Sequence, residues 1–441
     1  MSRLLVRGGR PLFGRAEAPP DKSILHRAAL LGALGRGPCT FAPLGAGEDN
    51  RSTLRVLAAL GVTVHVQGDR ATVIGVDGPA GLRAPAGVRL DCGNSGTTMR
   101  LMAGILAASP GSRAVLDGDA SLRRRPMKRL LPLTDMGARL VPEVEGAWTP
   151  PLRVEGAALV GRRFELAVAS AQVKSALLLA GAFAAGRTTV VEPRLSRDHT
   201  ERMLAARGVR LDRRVEPEGP HTVSIEGGQG GWDNVDEAIP PDVSGATFLL
   251  VAAAASGGRV EVSTGVNPTR TGALDVLADM GVPLHRAEAV ESGGEPVATV
   301  VADGRGALRG VVVEGDRSLR AIDELPILAG AALFAEGVTI IRDAAELRAK
   351  ESDRIEETAR VLRAFGGQVE VHPTGLEITG GRPLQPARVD AAGDHRIGMM
   401  AAVVGLGVPG TTEVAGAEAI AVSFPGFAGA LRGLGADVTE V

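Results

Sequence analysis

The chain repeats itself six times. A small-residue apolar run ending in glycine, followed by a β-rich segment, occurs at Gly37 (GRGPCTF), Gly111 (SPGSRAVL), Gly186 (AAGRTTVV), Gly258 (SGGRVEV), Gly337 (AEGVTII) and Gly410 (VPGTTEV). Successive glycines are 74, 75, 72, 79 and 73 residues apart. Glycine suits the left-handed position past a helix end, and the β-branched residues behind it suit a strand. A period this long indicates duplication of a subdomain rather than a solenoid. At 441 residues the chain is too long for one simple core, so the economical grouping is two domains of three copies, divided near Pro240–Pro241.

A second helix-to-strand unit interleaves with the first. It reads LRVLAALGVTV (54–64), LLPLTDMGARL (130–140), ERMLAARGVRL (201–211), LDVLADMGVPL (274–284), VLRAFGGQVEV (361–371) and ALRGLGADV (430–438). These segments place Leu at helical spacing opposite polar faces, the pattern of helices that cover a core from outside. The first set, AALLGALG, LMAGILAAS, ALLLAGAFAA, FLLVAAAAS, LAGAALFA and MMAAVVGLG, is apolar nearly all round. A helix with no polar face is a buried one, and Ala and Gly let several such helices pack closely. Each copy therefore carries one inner and one outer helix.

The inner helices are predicted to begin at, or within a residue or two of, Asp21, Asn94, Ser170, Asp242, Asp323 and Asp394, all residue types that cap helix N-termini. Dense polar strings lie at these starts: DKSILHR, NSGTTMR, SAQVKS, DVSGAT, DELP and GDHR. A helix N-terminus presents free N–H donors and partial positive charge, so several such ends facing one cleft suit phosphate and carboxylate. The lysines support this reading. Only four of the 49 basic residues are lysine: Lys22, Lys128, Lys174 and Lys350. In a chain that otherwise uses Arg, a surviving Lys marks a place where a compact ammonium is needed. Three of the four sit inside the strings DKS, SAQVKS and KESDR, and Lys128 follows Arg123, Arg124 and Arg125.

Composition excludes several classes. A formal net charge of −2 argues against a broad electrostatic footprint for nucleic acid or an acidic membrane. Cys39 and Cys92 are too few for a disulfide framework and have no metal spacing, which fits buried thiols in a reducing compartment. The start lacks the apolar run of a signal peptide, and no stretch of 18 residues lacks polar punctuation. Cytoplasm is the expected location. There is no P-loop, HExxH, Cys/His cluster or G-x-S-x-G elbow, so the chemistry is expected to need neither a metal nor an organic cofactor.

Each string also has a plainer reading. Lys22, Ser23 and Arg27 could form a solvated first turn, and Gly93 and Gly96 in CGNSGTTMR a tight turn. One arginine of the Arg123–Arg125 run is expected to point inward, and the other two could be a surface basic run. Ser170 and Gln172 could be core polar groups satisfied locally. KESDRIEE could be an exposed helix with Lys350 and Arg354 at i and i+4 and Glu351 and Asp353 between them. GDHRIG (Asp394, His395, Arg396) could be a capped structural site. Taken together, Lys22, Arg27, Lys350, Arg354 and Arg396 with the carboxylates Asp323 and Glu351 make an anion site with acid and base groups.

These strings closely resemble the enolpyruvyl transferases, on the branch whose acceptor is shikimate 3-phosphate. The likeness runs through PPDKSILHRAALL, DCGNSGTTMRLM, RRRPM, ASAQVKSALLLAG, SRDHTERML, IPPDVSGATF, DELPILAGAALFAEG, RAKESDRIEE and GDHRIGM, nearly the whole chain. The resemblance implies an α/β fold, a two-domain inside-out α/β barrel of six βαβαββ-type repeats, three per domain, whose inner helices aim their N-termini at an interdomain cleft. It implies a discontinuous domain of residues 1–20 and 241–441 on the phosphoenolpyruvate side, and a domain of residues 21–240 on the shikimate 3-phosphate side. The implied reaction transfers the enolpyruvyl group of phosphoenolpyruvate to the 5-hydroxyl of shikimate 3-phosphate, a step of chorismate and aromatic amino acid biosynthesis. A monomer is expected.

By the same resemblance, Lys22, Ser23, Arg27, Ser170, Gln172, Arg197, Asp323 and Lys350 bind shikimate 3-phosphate. Lys22, Gly96, Arg125, Gln172, Arg354 and Arg396 hold phosphoenolpyruvate, bidentate Arg contacts fitting its carboxylate and phosphate. Asp323 is the base to the acceptor hydroxyl, Glu351 the proton donor to the methylene carbon, and Lys22 stabilises charge or shuttles protons at the leaving phosphate. Two features depart from or qualify the pattern. Some members have a Lys two residues before a Phe-Pro pair near the C-terminus, where this chain has Val422 in AVSFP. The SAQVKS, SRDHTER and KESDR wording resembles the subgroup often less sensitive to glyphosate, whereas Gly96 keeps the small residue that leaves room for that inhibitor. UDP-N-acetylglucosamine enolpyruvyl transferase is the nearest rival, but it usually has Asn after the early lysine and a reactive Cys on a loop before Arg-Pro. Here Ser23 follows Lys22 and DASLRRRPM has no Cys. A non-catalytic repeat clamp around nucleic acid would spread basic groups along the inner helices, which are apolar beyond their first turns.

Overall fold

The computed structural model describes residues 2–85, 87–216 and 219–441. Six sheets share one topology. In the second copy a strand (Val88–Asp91) leads through an inner helix (Gly96–Ala107) to a parallel neighbour (Arg113–Asp117). A short outer helix (Pro132–Asp135) follows, then two antiparallel strands (Arg139–Pro142 and Leu152–Glu155), with the last lying between its two predecessors. The same parallel-then-antiparallel order recurs in the other five. This is the βαβαββ repeat expected from the sequence, and its parallel crossover needs the helix between the strands.

Three copies borrow a strand from a distant stretch of the chain. The first copy takes its parallel edge strand from Glu237–Ala238, beside Phe41 and Ala42. The sixth takes a central strand from Arg3–Gly8, which runs between Gly410–Ala415 and Asp437–Glu440. The next strand, Phe13–Glu17, opens the fourth copy against Arg259–Gly265.

The chain divides into two compact units. One holds the amino-terminal residues through Asp21, Pro240–Glu291 and Glu295–Val441; the other holds Lys22–Ile239 and Ser292–Gly294. Each has its own apolar core built round three inner helices. In the second-named unit these are Lys22–Leu34, Gly96–Ala107 and Ala171–Gly181. In the first-named unit they are Val243–Ser256, Leu325–Ala332 and His395–Gly407. Burial is nearly complete along all six, as their all-round apolar character requires. Among the described residues no helix is long and apolar enough to cross a membrane.

Small residues set the helix spacing. A Cβ on Gly104 would lie 2.3 Å from the Ala176 carbonyl oxygen and 2.8 Å from its Cα, so the second and third inner helices touch backbone to backbone there. Five of the repeat glycines have positive φ (Gly37, Gly111, Gly186, Gly337 and Gly410). In the fourth copy the left-handed residue is Gly257, at φ 71°, and not Gly258, whose Cβ would instead strike the Leu12 carbonyl at 2.0 Å. The motif holds there with the two glycines exchanging duties.

Two local expectations need correction. The outer helix expected across 130–140 is a four-residue turn, preceded by a 3₁₀ turn at Lys128–Leu130. Pro132 has no N–H to give and its ring opposes a preceding helical turn, so it starts the short helix rather than continuing one. KESDRIEE is not helical throughout: the helix begins at Arg354 (Arg354–Ala364), and Lys350, Glu351 and Ser352 lie in bends before it. Asp353 is the cause, since its side chain accepts from the Ile355 and Glu356 amides and fixes the start.

The glycine classes predict different costs. Gly186 has φ 80° and open space around a new Cβ, so Gly186→Ala should cost about 1–2 kcal/mol through left-handed strain alone. Gly104→Ala must push its helix away from the facing one and should cost more, on the order of 3 kcal/mol for an overpacked core. Denaturant unfolding of both variants checks the order, and equal costs would contradict it.

Candidate functional site

The polar strings fall into two groups, one in each unit. In the unit of the first three copies, Lys22 opens its helix and pairs with Asp49, the buried acid in the first turn of the outer helix Glu48–Ala59. Arg27, one turn further, is buried and donates to the Ser23 carbonyl at 2.9 Å, Ser175 Oγ at 2.9 Å and Thr200 Oγ1 at 2.7 Å. Ser23 lies half-buried beside Lys22. Ser170 is the N-cap of the third inner helix, with no side-chain capping bond; its carbonyl accepts from the Lys174 amide.

Gln172 is clamped from two sides. Its Oε1 accepts from Arg100 at 2.6 Å and its Nε2 donates to Thr97 Oγ1 at 2.9 Å. Gly96 is the first residue of the second inner helix, and a Cβ there would meet Arg100 Nη1 at 2.9 Å and Arg125 Nη1 at 3.2 Å. A side chain at Gly96 would thus press on two guanidinium groups. Arg125 is the buried member of its run and donates to Asn94 Oδ1. Arg123 and Arg124 are exposed. Arg123 binds Asp117 through two bonds of 2.7 and 2.8 Å, and with help from Arg89 holds that carboxyl down at about 2. Arg197 is half-buried in the loop before the helix His199–Ala206.

The second group lies in the other unit. Arg354 is 1% exposed and meets three carboxylates: Asp394 at 2.8 and 3.2 Å, Glu351 at 2.6 Å and Asp323 at 3.4 Å. Burial opposes its charge, and Asp394, Glu351 and Asp323 more than restore it, so the guanidinium stays charged. Burial likewise disfavours the Asp394 carboxylate, but Arg354 beside it wins and the carboxyl lies below its usual range. Asp394 also caps the sixth inner helix through the Arg396 amide. Lys350 reaches Glu346 at 2.9 Å and Asp323 at 3.4 Å. The bend before Arg354 is what allows Lys350 and Arg354 to share Asp323; on a continuous exposed helix they would have paired only with neighbours. Asp323 lies in the turn before the fifth inner helix, whose N-cap is Glu324.

Arg396 donates to Ser244 Oγ at 2.8 Å and to the Asp323 carbonyl at 3.0 Å. Ser244 in turn donates to Glu324, fully buried, and Arg270 stands between Glu324 (3.7 Å) and Asp242 (3.3 Å). Arg396 Nε is buried with no hydrogen-bond partner. Val422 ends the 3₁₀ turn Ala417–Val422 and is half-buried; its neighbour Phe424 comes within 3.7 Å of a Cβ placed on Gly245 at the start of the fourth inner helix.

Sequence reasoning missed several partners. Asp49, Arg100, Glu324 and Arg270 each hold a predicted residue or its support. Arg100 ends the NSGTTMR string and Asp49 sits in a polar outer-helix start, so both were visible as polar residues; what they touch was not. Lys128 departs from the pattern of the other lysines: it is exposed on a 3₁₀ turn. Both cysteines are buried and free. Burial raises Cys39 to about 11 and lifts Cys92 further, so neither is a thiolate near neutral pH.

Six βαβαββ copies, three to a unit, with polar strings at the inner-helix starts, define an enolpyruvyl transferase type of architecture. A family model described as EPSP synthase (3-phosphoshikimate 1-carboxyvinyltransferase) matches residues 6–431. The 3-phosphoshikimate 1-carboxyvinyltransferase of Synechococcus sp. (strain RCC307) is 47% identical over 436 residues, 97% of this chain and 98% of the relative. That of Desulforudis audaxviator (strain MP104C) is 47% identical over 440 residues, 98% and 99% of the two chains. The crystallised EPSP synthase from Acinetobacter baumannii matches with a TM-score of 0.86 at 38% identity, covering 100% of both chains. The chain belongs to the EPSP synthase family.

Asp242 gives a pH prediction. Burial and the neighbouring Asp21 raise its carboxyl from 3.8 to about 6, against Arg270 and Arg396. The folded state therefore binds this proton more tightly than the unfolded chain. The contribution is fully present below the unfolded value and is lost as pH rises from about 4 through about 6. Asp242→Asn keeps a capping oxygen for the Ser244 amide but cannot titrate. Unfolding free energies measured across that range should show a shallower decline in the variant; an unchanged slope would rule Asp242 out as its source.

Proposed function

We propose that this protein transfers the enolpyruvyl group of phosphoenolpyruvate to the 5-hydroxyl of shikimate 3-phosphate, releasing phosphate. The observation that carries the reading is the single buried guanidinium of Arg354 touching both Asp323 and Glu351, the two carboxylates the reaction needs. The family membership fixes the donor and acceptor. Domain roles follow the sequence reading: residues 21–240 form the shikimate 3-phosphate side and residues 1–20 with 241–441 the phosphoenolpyruvate side, with some residues of each serving the other substrate.

Lys22, Ser23, Arg27, Ser170, Gln172, Arg197, Asp323 and Lys350 bind shikimate 3-phosphate, and Lys22, Gly96, Arg125, Gln172, Arg354 and Arg396 bind phosphoenolpyruvate. The cations are matched by internal acceptors in the free protein: Lys22 by Asp49, Lys350 by Glu346 and Asp323, Arg354 by three carboxylates. An incoming anion competes with these groups, and the competition frees carboxylates for proton transfer. Asp323 takes the proton of the 5-hydroxyl as its oxygen bonds to the substituted vinyl carbon. Glu351, released when phosphoenolpyruvate engages Arg354, takes up a proton from solvent before the site shuts and delivers it to the methylene. In the second step the carbon–oxygen bond to phosphate breaks, a methyl proton returns to the Glu351 carboxylate and the double bond re-forms, with Lys22 balancing charge on the departing phosphate. Charged donors in a site shut off from water stabilise that developing charge most strongly.

A monomer working in the cytoplasm fits this reading, as does use of the product in aromatic amino acid synthesis. UDP-N-acetylglucosamine as acceptor is disfavoured, since the matching relatives are named for the 3-phosphoshikimate reaction. A non-catalytic clamp is disfavoured by inner helices that bury every side beyond the first turn.

Phosphate release should occur with phosphoenolpyruvate plus shikimate 3-phosphate and not with UDP-N-acetylglucosamine; no release with the former defeats the proposal. Asp323→Ala should lower kcat by about 10²–10⁴-fold, the range for a lost general base, and near wild-type turnover would remove Asp323 from that role.

A further inference from the structure

The SAQVKS string contains one residue that the catalytic reading leaves idle. Lys174 is 1% exposed, one turn inside the third inner helix. Its ammonium makes three contacts: Glu192 Oε1 at 2.8 Å, Glu201 Oε1 at 2.8 Å and the Ser196 carbonyl at 3.2 Å. Burial pulls its proton affinity down, and Glu201 and Glu192 push harder the other way, so it stays charged. Glu192 also wraps Ser196, accepting from its amide at 3.0 Å and its hydroxyl at 2.6 Å. The loop before Arg197 is thus tied at three points to one lysine–glutamate pair.

The next residues along both helices carry the link onward. Ser175 follows Lys174, and Thr200 precedes Glu201. Their hydroxyls are 2.6 Å apart and together receive Arg27 Nη2 and Nε. Two cross-links therefore lie side by side between the third inner helix and the helix His199–Ala206: a charged one at Lys174–Glu201, and a hydroxyl one that seats Arg27. Lys174 and its two carboxylate partners are all at most 3% exposed, so the larger planar guanidinium of arginine would have to displace one of them. A tetrahedral ammonium can serve three acceptors at once, and a planar fork cannot reproduce that set. This accounts for a lysine in a chain that elsewhere uses arginine.

We propose that Lys174 is a positioning residue for the acceptor phosphate, holding Arg27 and the Arg197 loop in place through Glu201, Glu192 and Ser196. The inference rests on Arg27 and Arg197 binding shikimate 3-phosphate. Lys174→Arg and Glu201→Gln should each raise the KM for shikimate 3-phosphate at least about tenfold, one such factor being worth about 1.4 kcal/mol. The KM for phosphoenolpyruvate and kcat should change less than about threefold. Glu201→Gln keeps shape and one hydrogen bond, so it tests the idea if Lys174→Arg does not fold. Two outcomes overturn the inference: a folded Glu201→Gln enzyme with both KM values unchanged, or both KM values rising together. Wild-type protein that releases no phosphate under the same conditions would instead overturn the parent assignment.

Discussion

An apolar helix buried on every side has one place left for polar chemistry, its end. The six inner helices largely meet this constraint, Arg27 and Lys174 being buried charges further along, and from it follows the placement of five candidate residues. Lys22, Gly96, Gln172, Asp323 and Arg396 lie within the first turn of an inner helix or just before it. Glu324 and Asp394 are N-caps in their own right. The backbone amides of these turns already demand acceptors, so side chains that cap a helix and side chains that bind anions are drawn to the same few positions. Asp394 does both kinds of work: one oxygen holds the Arg396 amide and both hold Arg354.

The electrostatics follow from burial. A buried cation without a partner is costly, and the structure supplies carboxylates to several of them. Arg354 among Asp394, Glu351 and Asp323, Lys174 between Glu192 and Glu201, and Arg270 between Asp242 and Glu324 are three versions of one solution. Their consequences differ with the surroundings. Lys174 is sealed and its partners are fixed. Arg354 has two partners, Asp323 and Glu351, that are each partly open to solvent and so able to exchange an internal bond for one to a ligand.

Much of the fold was legible because it is periodic. The glycine spacing marked six copies, and apolar patterning alone separated inner from outer helices. What periodicity could not show was the exact residue at a helix start. Asn94 and Asp323 were expected as caps, and Ser95 and Glu324 hold those places. A shift of one residue is invisible to pattern and decisive for direction: as a cap, Asp323 would face its own amides, whereas in the turn it faces Lys350 and Arg354. The bend at Lys350–Ser352 was hidden for a similar reason, since KESDRIEE has helical composition and only the capping by Asp353 reveals where the helix starts. Pairings such as Lys22 with Asp49 join residues from different elements, and no local string carries that information.

The borrowed strands have a consequence for how the molecule is made. Leu5 pairs with Glu413 on one side and Thr439 on the other. This strand is therefore made about four hundred residues before either of its partners. Until those partners are made it lacks its native pairing, with Leu-Leu-Val at its centre. The arginines that flank it, Arg3 and Arg7, keep that waiting segment charged at both ends, a simple guard against premature pairing with other chains.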